Sequence, residues 1–392
     1  MAGRIVLLFL ALATGGFAIG TTEFATMGIL PLVENGFGIS KPEAGYMVSA
    51  YALGVVMGAP LITVLAARVA RKPMLIVLMA GFALAHIASA LAPTFAWLCL
   101  FRFFSGLPHG AYFGLAALVA ASSVSPDRQT QAVGFVMLGL TSATIVGVPV
   151  ATWFADWLGW RAAYFWVAGI AVLAAVLVTM LVPYTGASSG AHPLRELGAL
   201  RRPDVWLTLS IGAIGFGGVF SVYAYLTSTL DVVTGVPATW IPVILGVFGL
   251  GMTLGNVIVP RFADRARMLT AGATLAASAI MMGLFYYATL DVWAVTGDVF
   301  LIGFCTALAT VLQTRLMDVA GDSQNLAAAM NHVAFNLANA LGPFLAGLAL
   351  TFNFGLRITG PIGTVLALAG LIIWFFAWRR TPRSPTGDGR AH

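Results

Sequence analysis

Apolar runs of about twenty residues, the length a helix needs to cross a bilayer, follow one another along nearly the whole 392-residue chain. They predict twelve spans, at 4–31, 43–66, 73–92, 94–122, 129–157, 160–183, 203–230, 238–262, 267–289, 292–318, 323–352 and 356–379. Strands of alternating polarity and barrel length do not occur, so the predicted fold class is an all-α membrane protein. The longest polar joint, Tyr184 to Pro203, carries Ser188, Ser189, Gly190, His192, Arg195, Glu196, Arg201 and Arg202. It divides the spans six and six: an N-terminal bundle at 1–183, a linker at 184–202 and a C-terminal bundle at 203–380. The tail at 381–392 reads as disordered.

Composition strengthens this picture. The chain is 60% hydrophobic and 9% charged, where an ordinary soluble domain has roughly a quarter of its residues charged; its mean hydropathy is +0.94. The net charge of +6 does not call for a nucleic-acid partner, because the basic residues sit mostly at span ends. With both termini and the linker placed in the cytoplasm, 16 of the 20 Lys and Arg fall inside, Lys41, Arg161 and Arg357 fall outside, and Arg102 stays within the membrane. The positive-inside rule thus sets the orientation. Cys99 and Cys305 lie within spans without metal spacing and read as small packing residues, so neither a metal nor a cofactor is expected. Arg4 precedes an apolar run, as in a signal peptide, but that run meets Thr21-Thr22-Glu23 rather than a small-residue cleavage site. It reads as a retained first helix.

The two halves repeat at an offset of 197 residues: Gly54 with Gly251, Gly58 with Gly255, Ala66 with Ala263, Arg68 with Arg265, Phe103 with Phe300 and Gly106 with Gly303. Six spans in each half give the copies the same direction, which implies a pseudo-two-fold axis along the membrane normal and a midplane site between the bundles.

Ionisable residues inside spans are the first functional candidates. Arg102 stands in Leu98-Cys99-Leu100-Phe101-Arg102 and shares a helical face with Gly106 and His109. Such a charge calls for a polar cavity or a carboxylate. Glu23, the only acid deep in the first half, lies about 10–12 Å from the outer end of its helix, a depth similar to that of Arg102. A Glu23–Arg102 pair would serve either proton coupling or structure. His109 suits a proton relay or a packing role. Asp298, roughly 9 Å into span ten, is a second candidate protonation site, with an interfacial cap as the alternative. His332, Asn336 and Asn339 share one face of span eleven and either line a polar route or bond between helices.

Two joints carry matched motifs. The first runs from Gly58 to Arg68, Arg71 and Lys72; its copy runs from Gly255 to Asp264, Arg265 and Arg267. Positive-inside topology explains their charge but not the shared glycine-to-arginine spacing, which suggests a charge latch at a helix end. Span five contains Gly139, Gly147 and Pro149, where small residues permit close helix approach and proline bends the chain.

Together, the loop motifs, the intramembrane arginine, the Gly147-Val148-Pro149 element and the Thr21-Thr22-Glu23-Phe24 ending of span one resemble the major facilitator superfamily. The closest likeness is to its twelve-helix drug:proton antiporters, the arabinose-efflux-permease-like and chloramphenicol-efflux-like branch. The resemblance spans essentially the whole chain and implies two six-helix bundles, Arg102 in proton coupling, and Gly139, Gly147 and Pro149 in the antiporter motif. It also implies a cavity lined by spans one, four, seven and ten, which nominates Phe17, Phe24, Tyr112, Phe113, Phe216, Phe220, Tyr223 and Phe304 for substrate contact. There are departures from the pattern. Ala67 and Ala70 replace the usual Asp and Gly of the first loop motif, whereas Asp264 is retained in the second, and Val148 is inserted before Pro149.

The expected protein is therefore an exporter in a bacterial inner membrane, a monomer whose partners are protons, a small-molecule substrate and the lipid bilayer. Amphipathic drugs head the substrate classes; sugars or nucleosides are the alternative, as is an uncoupled facilitator or a proton symporter. No paired carboxylates, HExxH, GxSxG or phosphate-cradling loop supports an enzyme.

Overall fold

The computed structural model describes residues 2–39, 41–184, 196–237 and 239–380. The tail at 381–392 and most of the linker, 185–195, lie outside the described residues. The first bundle comprises α1 (Ala2–Gly28), α2 (Tyr46–Leu65), α3 (Arg71–Ala90), α4 (Phe95–Ser122), α5 (Gln129–Ser142, continued by Val148–Leu158) and α6 (Trp160–Leu181). In the second, α7 begins at Pro203–Ser210 and continues through Gly217–Tyr223. One run, Ile241–Ala288, holds two helices: its backbone breaks at Ala266 (φ −149°, ψ 68°), separating α8 from α9. Then come α10 (Val292–Cys305, continued by Leu308–Val319), α11 (Gln324–Thr351) and α12 (Thr359–Arg380). The fold is thus the twelve-helix arrangement expected from the hydropathy pattern.

Local chemistry explains the helix ends. Thr94 caps α4 by accepting the Trp97 N–H, and Asp291 caps α10 by accepting from Trp293 and Ala294 at 3.0 and 2.8 Å. Pro149 cannot donate to the carbonyl four residues back, and α5 widens over Ala143–Gly147 just before it.

The repeated glycines have a direct structural cause. Gly54 and Gly58 of α2 lie against the backbone of α4 at Phe103 and Leu107, and Gly106 answers from α4 against the Tyr51 carbonyl. In the copy, Gly251 and Gly255 of α8 meet the α10 backbone at Phe300 and Phe304, and Gly303 meets Phe248. Any Cβ there would overlap main chain. Gly139 seats α5 on the α1 backbone at Ala13 in the same way, and Gly147 leaves room for the Thr21 side chain.

Each bundle has its own apolar core, around Leu12, Leu75, Phe82 and Val133 in the first and around Ile211, Leu275, Met282 and Phe285 in the second. Between the bundles, Gly110 and Gly114 of α4 pack on Ala329 of α11, and Gly134 of α5 packs on Asn256 and Pro260 of α8.

Candidate functional site

Arg102 is 1% exposed, and its guanidinium is held by two hydroxyls and by aromatic faces. Nη1 donates to Thr22 Oγ1 at 2.9 Å and to Ser105 Oγ at 3.5 Å. The cation lies 4.4 Å from the Tyr51 ring centroid and 5.6 Å from that of Tyr164. Cation–π contacts of this kind strengthen when desolvated. Thr22 Oγ1 also bonds His86 Nε2 at 2.9 Å.

The expected Glu23–Arg102 salt bridge is not formed: the ion pairs among the described residues do not include it. Successive helical residues point about 100° apart, so Thr22 takes the guanidinium and Glu23 turns into a cavity between the bundles. The Arg102 charge still acts on Glu23.

That cavity encloses about 810 Å³, its mouth included. One wall is aromatic. Phe216, Phe220 and Tyr223 of α7 line it with Phe24, Phe248 and Phe335; Phe216 meets Phe335 at 4.5 Å, and Tyr223 stacks on Phe248 at 4.7 Å. Met137, Leu140 and Met252 add flexible apolar surface.

The polar part of the lining is a hydrogen-bonded set of amides, hydroxyls and imidazoles. Thr310 Oγ1 donates to Asn256 Oδ1 at 2.5 Å, Asn331 Nδ2 donates to Gln313 Oε1 at 3.3 Å, and Gln313 Nε2 donates to the Phe113 carbonyl at 3.3 Å. Through them a relay crosses the bundle interface. Tyr51 OH bonds His109 Nδ1 at 2.9 Å, and His109 Nε2 bonds His332 Nδ1 at 3.3 Å. His332 is 6% exposed, lines the cavity, and has no partner at Nε2 among the described residues. Its orientation is fixed by the Phe113 ring, stacked 4.4 Å away at 12°. Either tautomeric sense satisfies the chain: Tyr51 donates toward His332, or His332 donates toward Tyr51.

Glu23, Phe24, His109, Phe216, Phe220, Tyr223, His332 and Asn336 therefore meet around one space. Other nominated residues do not. Phe17 packs against the first core beneath Gly147. Tyr112 is buried, its OH donating to the Leu12 carbonyl at 2.8 Å. Phe113 belongs to the first core and supports His332 from behind. Phe304 packs on the second core, where its backbone receives Gly251 and Gly255. Asn339 is half-buried one turn beyond Asn336 and does not line the cavity. Asp298 is buried within α10 away from the cavity, with Oδ2 lacking a partner among the described residues; Asp291 is the cap.

Sequence reasoning overlooked Thr141, Asn256, Thr310, Gln313 and Asn331. A signal existed: each is an uncharged polar side chain within a span, a position that lipid alone disfavours.

The second loop motif closes one end of the interface. Asp264, at the end of α8, accepts the Thr130 and Gln131 backbone N–H groups at 2.7 and 3.1 Å and Gln131 Nε2 at 3.1 Å. Its carboxylate thereby caps α5 of the opposite bundle. Arg267 stands 4.0 Å from Asp264, donates to Thr130 Oγ1 at 3.2 Å and pairs with Asp318. Arg265 is exposed, as is Arg68 in the first motif, while Arg71 and Lys72 are half-buried.

The sequence model of the Major Facilitator Superfamily matches residues 12–322. The chain is 37% identical over 376 residues, 96% of its length and 97% of the relative's, to "Inner membrane transport protein YdhP" of Escherichia coli (strain K12). It is 32% identical over 392 residues, 97% and 98% of the two lengths, to a "Chloramphenicol resistance protein" of Streptomyces lividans. Among solved structures, the proton:xylose symporter XylE bound to 6-bromo-6-deoxy-D-glucose superposes with a TM-score of 0.78 at 15% identity, covering 97% of this chain and 96% of that one.

Proposed function

Because the chain belongs to the Major Facilitator Superfamily, and is a multi-pass membrane transporter rather than an enzyme, we propose that it exports amphipathic small molecules in exchange for inward-moving protons. The observation that carries this reading is the cavity itself, where aromatic side chains line the same space as Glu23 and the His109–His332 relay. The wall takes the apolar part of a substrate; the amides and hydroxyls take its polar groups. Glu23 exchanges a proton with the cavity under the influence of the nearby Arg102 charge, and the two histidines carry protons across the bundle interface. Binding of proton and substrate from opposite sides then alternates as the bundles rock about the site. One charge crossing 100 mV supplies ~2.3 kcal/mol toward export.

The name of the Streptomyces lividans relative supports an amphipathic substrate. The inner-membrane name of the Escherichia coli relative and the basic span ends support a bacterial inner membrane with both termini cytoplasmic. Bundles at 1–183 and 203–380 act as the two rocking bodies of a monomer. A second reading, export of sugars or nucleosides, is favoured by the amide and hydroxyl side formed by Asn256, Thr310, Gln313 and Asn331.

The test is proton flux in everted vesicles, following a quenched pH-gradient dye as chloramphenicol, other amphipathic drugs, arabinose and nucleosides are added in turn. Substrate-dependent proton release that vanishes in Glu23→Gln is expected, and the responding compound names the class. Substrate movement without any change in proton flux would refute exchange and leave facilitation.

A further inference from the structure

The relay from Tyr51 to His332 has two unlike ends. With both imidazoles neutral, either tautomeric sense closes the same internal bonds, Tyr51 OH with His109 Nδ1 at 2.9 Å and His109 Nε2 with His332 Nδ1 at 3.3 Å. The senses differ in what they leave over. If Tyr51 donates, His109 passes its N–H to His332, and the hydrogen of His332 sits on Nε2. In the reversed sense His332 Nε2 is a bare lone pair, and the Tyr51 O–H needs an acceptor other than His109.

Among the described residues no other acceptor is bonded to it. Tyr51 is 3% exposed and outside the cavity lining, and its hydroxyl makes one hydrogen bond, the one with His109. The cation over its ring, Arg102 at 4.4 Å from the centroid, has donors and no acceptor. A buried O–H without an acceptor is disfavoured roughly 5- to 100-fold, so the reversed sense is a minor one. In the forward sense the group left over is His332 Nε2–H, on a side chain that lines the cavity and without a protein acceptor among the described residues. The neighbouring amide nitrogens differ: those of Asn256, Gln313 and Asn336 are each bonded to a backbone carbonyl. The Phe113 ring, stacked on His332 at 4.4 Å, keeps the imidazole from turning over.

We propose that His332 Nε2 is a fixed hydrogen-bond donor of the substrate site, set in that sense by Tyr51, and that the cavity selects amphipathic molecules bearing a strong acceptor such as a carbonyl. Tyr51 is a positioning residue: it acts through His109 to decide which nitrogen of His332 carries the hydrogen. A ligand group that can only donate meets an N–H there and is disfavoured. This deepens the proposed export of amphipathic molecules and rests on their binding in this cavity.

The experiment has two readouts on the full chain in lipid nanodiscs, at mildly alkaline pH where imidazole is neutral. The first is the ring-nitrogen magnetic resonance spectrum of protein labelled at histidine with nitrogen-15, the His332 signals being those lost in His332→Gln. Nε2 should carry the hydrogen in the native chain. In Tyr51→Phe, which keeps a ring beneath Arg102 and removes the hydroxyl, both tautomers should appear. An Nε2 without hydrogen in the native chain overturns the proposal. The second readout is calorimetric binding of three neutral tricycles of one shape: fluorenone, which accepts through a carbonyl; fluorene, which neither accepts nor donates; and carbazole, which donates through N–H. Fluorenone should bind about tenfold more tightly than fluorene. That preference should vanish in His332→Phe and shrink in Tyr51→Phe, where carbazole should gain on fluorene. A Tyr51 that only supports the fold would weaken all three alike, and that result refutes its positioning role. Equal binding of fluorenone and fluorene to the native chain refutes the donor. If none of the three binds, the proposed substrate class fails, while the nitrogen spectrum still decides where the hydrogen sits.

Discussion

Replacing Asp264 with asparagine isolates one contact that closes the bundle interface. The native carboxylate is 2% exposed and accepts three hydrogen bonds, two from backbone N–H groups at the start of α5. Asparagine keeps one acceptor oxygen but turns its NH2 toward donors and removes the charge. Loss of a helix cap costs ~1 kcal/mol, and loss of a negative charge at a helix amino end costs about 0.3–1 kcal/mol, rising to ~2 in partly buried sites. When the bundles part, water satisfies both the carboxylate and the α5 amides, so most of this ~2 kcal/mol is specific to the closed arrangement. At 1.4 kcal/mol per tenfold, the open population should rise roughly 30-fold. The assay is alkylation of a single cysteine at Ala328, fully buried in the seam where α11 meets the first core, with Cys99 and Cys305 removed. If opening is fast relative to labelling, the rate reports the open population, so it should climb by the same factor. A change of less than about twofold in folded protein would refute the idea that this cap governs closure.

Two further substitutions separate packing from binding. Gly54→Val and Gly251→Val each drive a side chain into the backbone of the helix they cross, so each should cost at least the ~1–3 kcal/mol of an overpacked core, read as a fall in the thermal midpoint in detergent. A variant that melts like the native chain would show that the crossings can loosen. Tyr223→Ala opens the aromatic wall and should raise the apparent KM for an amphipathic substrate several-fold, whereas Tyr112→Phe deletes only the bond to the Leu12 carbonyl and should cost ~1 kcal/mol of stability with transport unchanged. The reverse outcome would place Tyr112 in the binding site.

The span pattern was legible because lipid demands long apolar helices whatever they do. Residues such as Gly54 and Gly251 were equally legible as a repeat, since close backbone crossing tolerates no Cβ. Which face of a helix meets the cavity was not. In a soluble protein the polar stripe marks the exterior, but these helices are apolar on nearly every side, so Phe17, Tyr112 and Phe304 looked like Phe24, Tyr223 and Phe216 until the neighbouring helices were in place. The amide side of the cavity escaped because Asn256, Gln313 and Asn331 come from three different helices and meet only through the fold. Thr22 was masked by its neighbour: charge complementarity drew attention to Glu23, while the helix turned the hydroxyl toward Arg102.

The seam between α4 and α11 is built from Gly110 and Gly114 against Ala329. Glycine and alanine have no rotamers to change, and their surfaces do not interlock as branched side chains do. The two bodies can therefore part or slide there with little mechanical friction: no ratchet of knobs must be lifted from its holes before motion begins. Resistance to movement is concentrated instead in a few directional contacts: the His109–His332 bond and the Phe113–His332 stack farther along the seam and, at the rim, the Asp264 cap on α5. The seam behaves as a smooth bearing held shut by a small number of clasps, so tuning one clasp changes how often the interface opens without redesigning the surface on which it moves.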